Sequence, residues 1–147
     1  MKRRRQDRES GATVVEFVVF TPILFLLMFG SVQVGLALFA RHVASSAAQE
    51  GARQARETAE NTNVDWQTTA TGAATSWVTQ LLGTLVEGTP NAEALEPVPL
   101  QDQYPEVGVQ VQFRIVSIVP GWHFTLKASS VGPVECFYTT AGYCDGD

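Results

Sequence analysis

Two cysteines and two histidines are the side chains best suited to covalent or acid–base chemistry in this 147-residue chain. Cys136 and Cys144 do not form a CxxC pair, and no histidine lies near enough for a usual zinc spacing. They could close a small disulfide loop in an oxidising compartment, and two unrelated free thiols are the alternative. His42 and His123 lack an HExxH partner, and no Walker A, GxGxxG or GxSxG motif is present. We therefore expect no enzymatic activity, no cofactor and no metal site.

Glu16 is a carboxylate placed directly before a long apolar run. The run from Phe17 to Ala40 contains no charged residue. As a helix it spans about 36 Å, against about 30 Å of bilayer hydrocarbon, and membrane helices tolerate a proline such as Pro22. A carboxylate here is costly to bury unless it is paired, although a helix N-terminus at the interface tolerates an anion. We expect one transmembrane helix, with the role of Glu16 open between these two alternatives.

The charges on either side of the run predict its orientation. A cluster of basic residues precedes it, whereas only Arg41 follows it closely. The positive-inside rule therefore places the N-terminus in the cytoplasm and the remainder outside. A cleaved secretory signal with a cut at Ala44-Ser45-Ser46 is the competing interpretation, but the apolar run is too long for one. Residues 57–147 are strongly acidic, which argues against binding to nucleic acid.

The helical pattern continues beyond the membrane run. We predict one helix from Thr13 to Glu60, with Arg53–Glu57 and Arg56–Glu60 as ion pairs. Small residues recur along it every four positions, which lets another helix approach closely or simply reflects the helix propensity of alanine. The residues expected to serve such packing are Pro22, Gly35, Ala44, Ala48 and Gly51.

The rest of the chain has the pattern of a helix followed by strands. We predict a second amphipathic helix over Asp65–Glu87, ended by Gly88, with Trp77 and Leu81 on its apolar face. The segment from Thr89 to Pro105 is expected to be a polar connection. Alternating residues from Val107 to Ile115 and from Trp122 to Ala128, around the turn Pro120-Gly121, predict an antiparallel hairpin. Pro133 to Tyr138 is the candidate for a third short strand.

These elements predict an α+β fold: a long N-terminal transmembrane helix that continues outside, a second amphipathic helix and a small antiparallel sheet. Three regions follow from this organisation. Residues 1–11 form a basic cytoplasmic leader, residues 12–60 the transmembrane and extended helix, and residues 61–147 an extracytoplasmic domain.

The junction before the membrane run is the part of the sequence that indicates a function. It reads Gly11-Ala12-Thr13-Val14-Val15-Glu16-Phe17, and the Ala-rich segment after the run ends in a box of Glu50, Gly51, Ala52 and Arg53. With Pro22, Gly30, Gly35 and Phe39-Ala40-Arg41, this pattern resembles the TadE-like proteins of tight-adherence (Tad/Flp) pilus machines. The chain departs from it at Gln33, where many relatives carry an acidic residue.

The resemblance implies a non-enzymatic minor pilin or pseudopilin that is held in the inner membrane. It implies cleavage by a prepilin peptidase after Gly11, with Ala12 as the new first residue. It also implies that Glu16, beside Phe17, pairs with the freed amine of a neighbouring subunit and sets the axial register. The implied partners are other pilins, the Tad assembly platform and the peptidase. A minor pseudopilin of a type II secretion system and an uncleaved, signal-anchored binding protein are the alternatives.

Overall fold

The computed structural model describes residues 3–59, 63–96, 106–118 and 121–134, with side chains from residue 13 onward. These ranges contain two α-helices, one short 3-10 turn and three strands, so the predicted α+β class is confirmed. The chain divides into two compact units. Residues 1–36 and 117–122 form the first unit, and residues 37–116 and 123–147 form the second.

Helix α1 runs without interruption from Arg3 to Thr58. It begins earlier than the predicted start at Thr13, because the leader consists mainly of good helix formers and contains no proline. Pro22 lies inside the helix and has no N–H to donate to the carbonyl of Val18. One residue earlier, the Thr21 hydroxyl donates to the Phe17 carbonyl oxygen at 2.6 Å. The predicted continuous helix is thus confirmed.

Helix α2 spans Trp66–Leu82 and has defined signals at both ends. Asp65 caps its N-terminus, where the Thr68 backbone N–H donates to Oδ1 of the carboxylate at 3.3 Å. Gly83, with φ of 50°, ends the helix. The predicted end at Gly88 was therefore wrong, because Gly83 already takes a positive φ and stops the helix. A single 3-10 turn, Gly83–Leu85, follows.

The buried face of α2 consists of small and medium side chains four residues apart, namely Ala70, Ala74, Val78 and Leu82. Ala70, Val78 and Leu82 lie on the predicted face. Trp77 and Leu81, predicted on the same face, are exposed instead. The small side chains allow α2 to pack closely, and the two larger ones are left at the edge of the contact.

The sheet has three antiparallel strands in the order β1, β2, β3. They are β1 Val86–Leu95, β2 Glu106–Ile115 and β3 Phe124–Pro133. The pairing of β2 with β3 confirms the predicted hairpin. Gly121 has φ of 85°, the backbone conformation that a glycine tolerates in the turn. Trp122, predicted to begin the second run, precedes the strand.

The third strand is β1, and it lies where a polar connection was predicted. The prediction for Thr89 to Leu95 was therefore wrong. Pairing with β2 shifts register between Glu87 and Asn91, around Gly88 with φ of 80° and Pro90. An edge strand tolerates a bulge and a proline that a central strand would not. Pro133 ends β3, and the other residues of the predicted third strand lie, except Val134, outside the described ranges.

The core of the second unit lies where α1, α2 and the central strand meet. Strand β2 buries alternate residues, as its pattern predicted: Val107, Val109, Val111, Phe113 and Ile115. Helix α2 adds its buried face. The part of α1 from Ala40 to Ala55 contributes mainly alanines to the same cluster. Because alanine side chains are short, this stretch of α1 can lie close to its neighbours over several turns.

Candidate functional site

The first part of helix α1 has an almost continuous apolar surface. Large apolar side chains are exposed from Val14 to Phe29 with few interruptions. Monomeric soluble proteins rarely expose an apolar surface of this extent. In the described residues, one helix is long and apolar enough to cross a membrane, and it is this one. A surface of this kind suits lipid or the helix of another subunit.

The predicted processing and register residues lie at the start of this surface. Glu16 and Phe17 are both exposed on α1. The backbone of Gly11 and Ala12 is helical, within the same element. The Glu16 carboxylate is therefore not enclosed by the rest of the chain, and a cut after Gly11 would require the helix to open there. Glycine favours such opening, since it lowers helix stability by about 1 kcal/mol relative to alanine.

The box Glu50-Gly51-Ala52-Arg53 has two parts. Its charged residues form an ion pair at the surface, and its two small residues are buried. Arg53 donates to Glu50 at 2.6 Å and to Glu57 at 2.5 Å, which confirms the predicted Arg53–Glu57 pair. The hydrogen bond from Arg53 lowers the pKa of Glu50 below its usual value, against a smaller opposing effect of burial. The hydrogen bonds to Glu50 and Glu57 in turn raise the pKa of Arg53. These pairs fix side chains along one face of α1 at the surface.

Gly51 lies at the closest approach of three elements. A Cβ built on it would lie 3.0 Å from the carbonyl oxygen of Ala70, 3.0 Å from Cβ of Ala74 and 3.1 Å from Cβ of Val109. These atoms belong to α2 and β2. Ala52, the next residue, is fully buried. The glycine of the box therefore lets α1 contact α2 and the central strand without a side chain between them.

The other residues predicted for helix packing lie in different surroundings. Ala44 and Ala48 are buried in the core of the second unit. Pro22 is exposed, and so is Gly35, where a built Cβ meets nothing within 4 Å. Any contact that these residues make with another subunit stays a prediction. Cys136 and Cys144 lie outside the described residues, so their predicted pairing also stays a prediction.

Gln33 is a site residue whose role sequence reasoning missed. It is fully buried, although it lies within the apolar run. Its Oε1 accepts a hydrogen bond from the backbone N–H of Ile118 at 2.7 Å. Within the described part of the chain, its Nε2 has no hydrogen-bond partner. The available signal was the polar residue itself, which is rare in such a run and usually has a partner there.

Histidine and carboxylate groups do not gather into a cluster in the described ranges. No group of three or more His, Cys, Asp or Glu side chains there could hold a metal ion. His42 and His123 are both exposed. Among the predicted residues, the consecutive members of the Glu-Gly-Ala-Arg box lie in the second unit. Glu16 lies in the first unit.

The fold and the exposed apolar helix are compatible with a single-pass membrane protein that carries a small α+β domain. Residues 11–53 match the family model described as TadE-like protein. The match confirms the resemblance drawn from the glycine junction and the Glu-Gly-Ala-Arg box, and it supports a Tad pilus-associated protein. No curated protein and no solved structure matches the chain in the two further comparisons.

Proposed function

We propose that the protein is a non-enzymatic minor pilin or pseudopilin that takes part in assembly of a Tad/Flp pilus. The observation that carries the proposal is the TadE-like match over residues 11–53, whose first half has an exposed apolar helix surface. Soluble monomers rarely expose such a surface. A subunit that moves from the bilayer into a bundle of helices contacts lipid through it first and the neighbouring helices afterwards. Its partners are other pilins, the assembly platform and a prepilin peptidase.

The proposed arrangement in the membrane follows from charge. The basic leader stays in the cytoplasm, α1 crosses the inner membrane once, and the second unit lies outside. The proposed peptidase cut after Gly11 removes the leader and leaves Ala12 with a free amine. Glu16 lies one helical turn away from Ala12 and is exposed, so it is accessible to the amine of a neighbouring subunit. Pairing the two charges offsets the cost of holding each at the edge of the hydrocarbon.

Processing is tested by substituting Gly11 and measuring the mass of the protein extracted from membranes. We expect Gly11→Leu to retain the leader, because the side chain stabilises the helix at the cut and no longer fits a site shaped for glycine. Gly35→Leu is the matched control, since a built Cβ at Gly35 meets nothing within 4 Å. A Gly11→Leu product with the same mass as the wild-type protein, and with Ala12 as its first residue, would refute the cleavage.

Subunit pairing is tested by substituting Glu16. We expect Glu16→Ala and Glu16→Gln to leave membrane insertion and cleavage intact, because the leader and Gly11 are unchanged and the run only becomes more apolar. Recovery of pilus partners in detergent extracts should fall, because the neighbour's amine is left unpaired in a medium of low dielectric constant. Glu9→Gln is the control, since cleavage removes that carboxylate. Wild-type recovery of partners with both Glu16 variants would place Glu16 merely at the interface.

A further inference from the structure

The tip of the β2–β3 hairpin is an apolar loop in the same compact unit as the membrane-spanning part of α1. The first unit comprises residues 1–36 and 117–122. The sequence from Val116 to Trp122 contains no charged residue. Ile118 and Trp122 are exposed, Trp122 to 49 %. Tryptophan is favourable at the boundary between lipid headgroups and acyl chains, because its ring is apolar and its N–H is polar.

One hydrogen bond sets the level of this tip along α1. The backbone N–H of Ile118 donates to Oε1 of Gln33 at 2.7 Å. The uncharged run ends at Ala40. At 1.5 Å per residue, Gln33 lies about 10 Å before that end along the helix axis. The main chain at Ile118 therefore lies at the level of the apolar run and not at that of Arg41, where the polar part of α1 begins.

The same hydrogen bond pairs a backbone N–H that lies outside regular structure. In hydrocarbon a backbone N–H outside regular structure has no water to bind, and leaving it unpaired costs several kcal/mol. The side chain of Gln33 supplies the missing acceptor. The polar side chain in the run thus pairs the backbone N–H of Ile118 through its Oε1.

We propose that the hairpin tip inserts Ile118 and Trp122 into the outer leaflet of the inner membrane beside α1 and is a second membrane contact of this protein. The inference rests on the proposed membrane span. Its ligand is the lipid at the interface between headgroups and acyl chains, with Ile118 on the apolar side and Trp122 at the boundary. This contact fixes the position of the hairpin tip at the membrane surface before the subunit assembles. The hydrogen bond from Ile118 to Gln33 connects the tip to α1.

The test uses tryptophan fluorescence of the full chain reconstituted into phosphatidylcholine vesicles that carry brominated acyl chains. The variant W66F/W77F leaves Trp122 as the sole tryptophan, and W66F/W122F leaves Trp77. Trp77 is the matched control because it is exposed to a similar degree, 39 %, and lies on α2 in the second unit. We expect Trp122 to lose most of its emission, more with bromine near the glycerol end than near the chain end, and Trp77 to keep its emission.

Two variants, one in the loop and one in α1, separate insertion from mere proximity. In the W66F/W77F background, Ile118→Lys places a charge in the tip, and Gln33→Leu removes the acceptor for the Ile118 N–H. Both should reduce the quenching of Trp122 by lipid bromines. Gln33→Leu leaves the helix more apolar, so a loss of quenching there reports the tip and not the span.

Flotation of the vesicles keeps the two proposals distinguishable. Protein that fails to float with the vesicles would overturn the proposed span. Protein that floats while Trp122 is quenched no more than Trp77 would overturn the tip insertion alone. A Trp122 that lipid bromines do not quench, but whose emission shifts to the blue when pilus partners are added, would assign the tip to a protein interface and overturn the lipid assignment.

Discussion

Replacing Gly51 by alanine tests whether α1, α2 and β2 meet as closely as the structure shows. The new Cβ would lie 3.0 Å from both the Ala70 carbonyl oxygen and Cβ of Ala74, and 3.1 Å from Cβ of Val109. Carbon atoms prefer about 3.5–4.0 Å, so each neighbour must move by several tenths of an ångström. All three atoms belong to or adjoin the backbone. A rotamer change cannot relieve the overlap, and whole elements must shift.

Two opposing effects decide the magnitude. Gly→Ala inside a helix stabilises by about 1 kcal/mol, because glycine loses more backbone entropy on folding. Overpacking a well-filled contact costs about 1–3 kcal/mol, and rigid neighbours favour the upper part of that range. We therefore expect Gly51→Ala to lower the free energy of unfolding by about 1 kcal/mol, equivalent to a decrease of about 4–8 °C in Tm for a domain of this size.

Gly72→Ala is the matched control. Gly72 also lies inside a helix, α2, but a Cβ built on it meets nothing within 4 Å. Only the entropic gain remains, so Gly72→Ala should stabilise by about 0.5–1 kcal/mol. The assay is thermal unfolding of the full chain in detergent micelles, followed by the fluorescence of Trp66 and Trp77. If Gly51→Ala melts as high as Gly72→Ala, the close contact at the box does not exist.

Three further predictions concern the sheet, the surface pairs and the cysteines. A Cβ on Gly108 would overlap the carbonyl oxygen of Ser130 on β3, so Gly108→Ala should destabilise by about 3 kcal/mol, measured by chemical denaturation. The pKa of Glu50 is lowered in the folded state, so its pairing with Arg53 stabilises above the ordinary glutamate pKa and is lost as pH falls through the folded value. Wild-type and Glu50→Gln proteins should therefore differ in Tm near neutral pH and converge in acid. The two cysteines are expected to be joined, adding at most about 3 kcal/mol, and two reactive thiols in the denatured, unreduced protein would contradict this.

Local patterns in the sequence were sufficient for the long helix, the hairpin and the family segment. The uncharged run, the alternation from Val107 to Ile115 and the Glu-Gly-Ala-Arg box each extend over adjacent residues, so each can be recognised without knowing the fold. The match over residues 11–53 agrees with that segment. The start of α2 also agrees with the predicted start at Asp65, whose side chain binds a backbone N–H only three residues away.

Tertiary contacts decided the remainder. Strand β1 contains glycine, proline and acidic residues and has weak strand preference of its own, but the open edge of β2 supplies the hydrogen bonds that hold it. The role of Gly51 depends on α2 and β2, which no local pattern relates to the box. The partner of Gln33 lies 85 residues along the chain. Sequence periodicity reports which face of an element is apolar, whereas the identity of what covers that face is set by the fold.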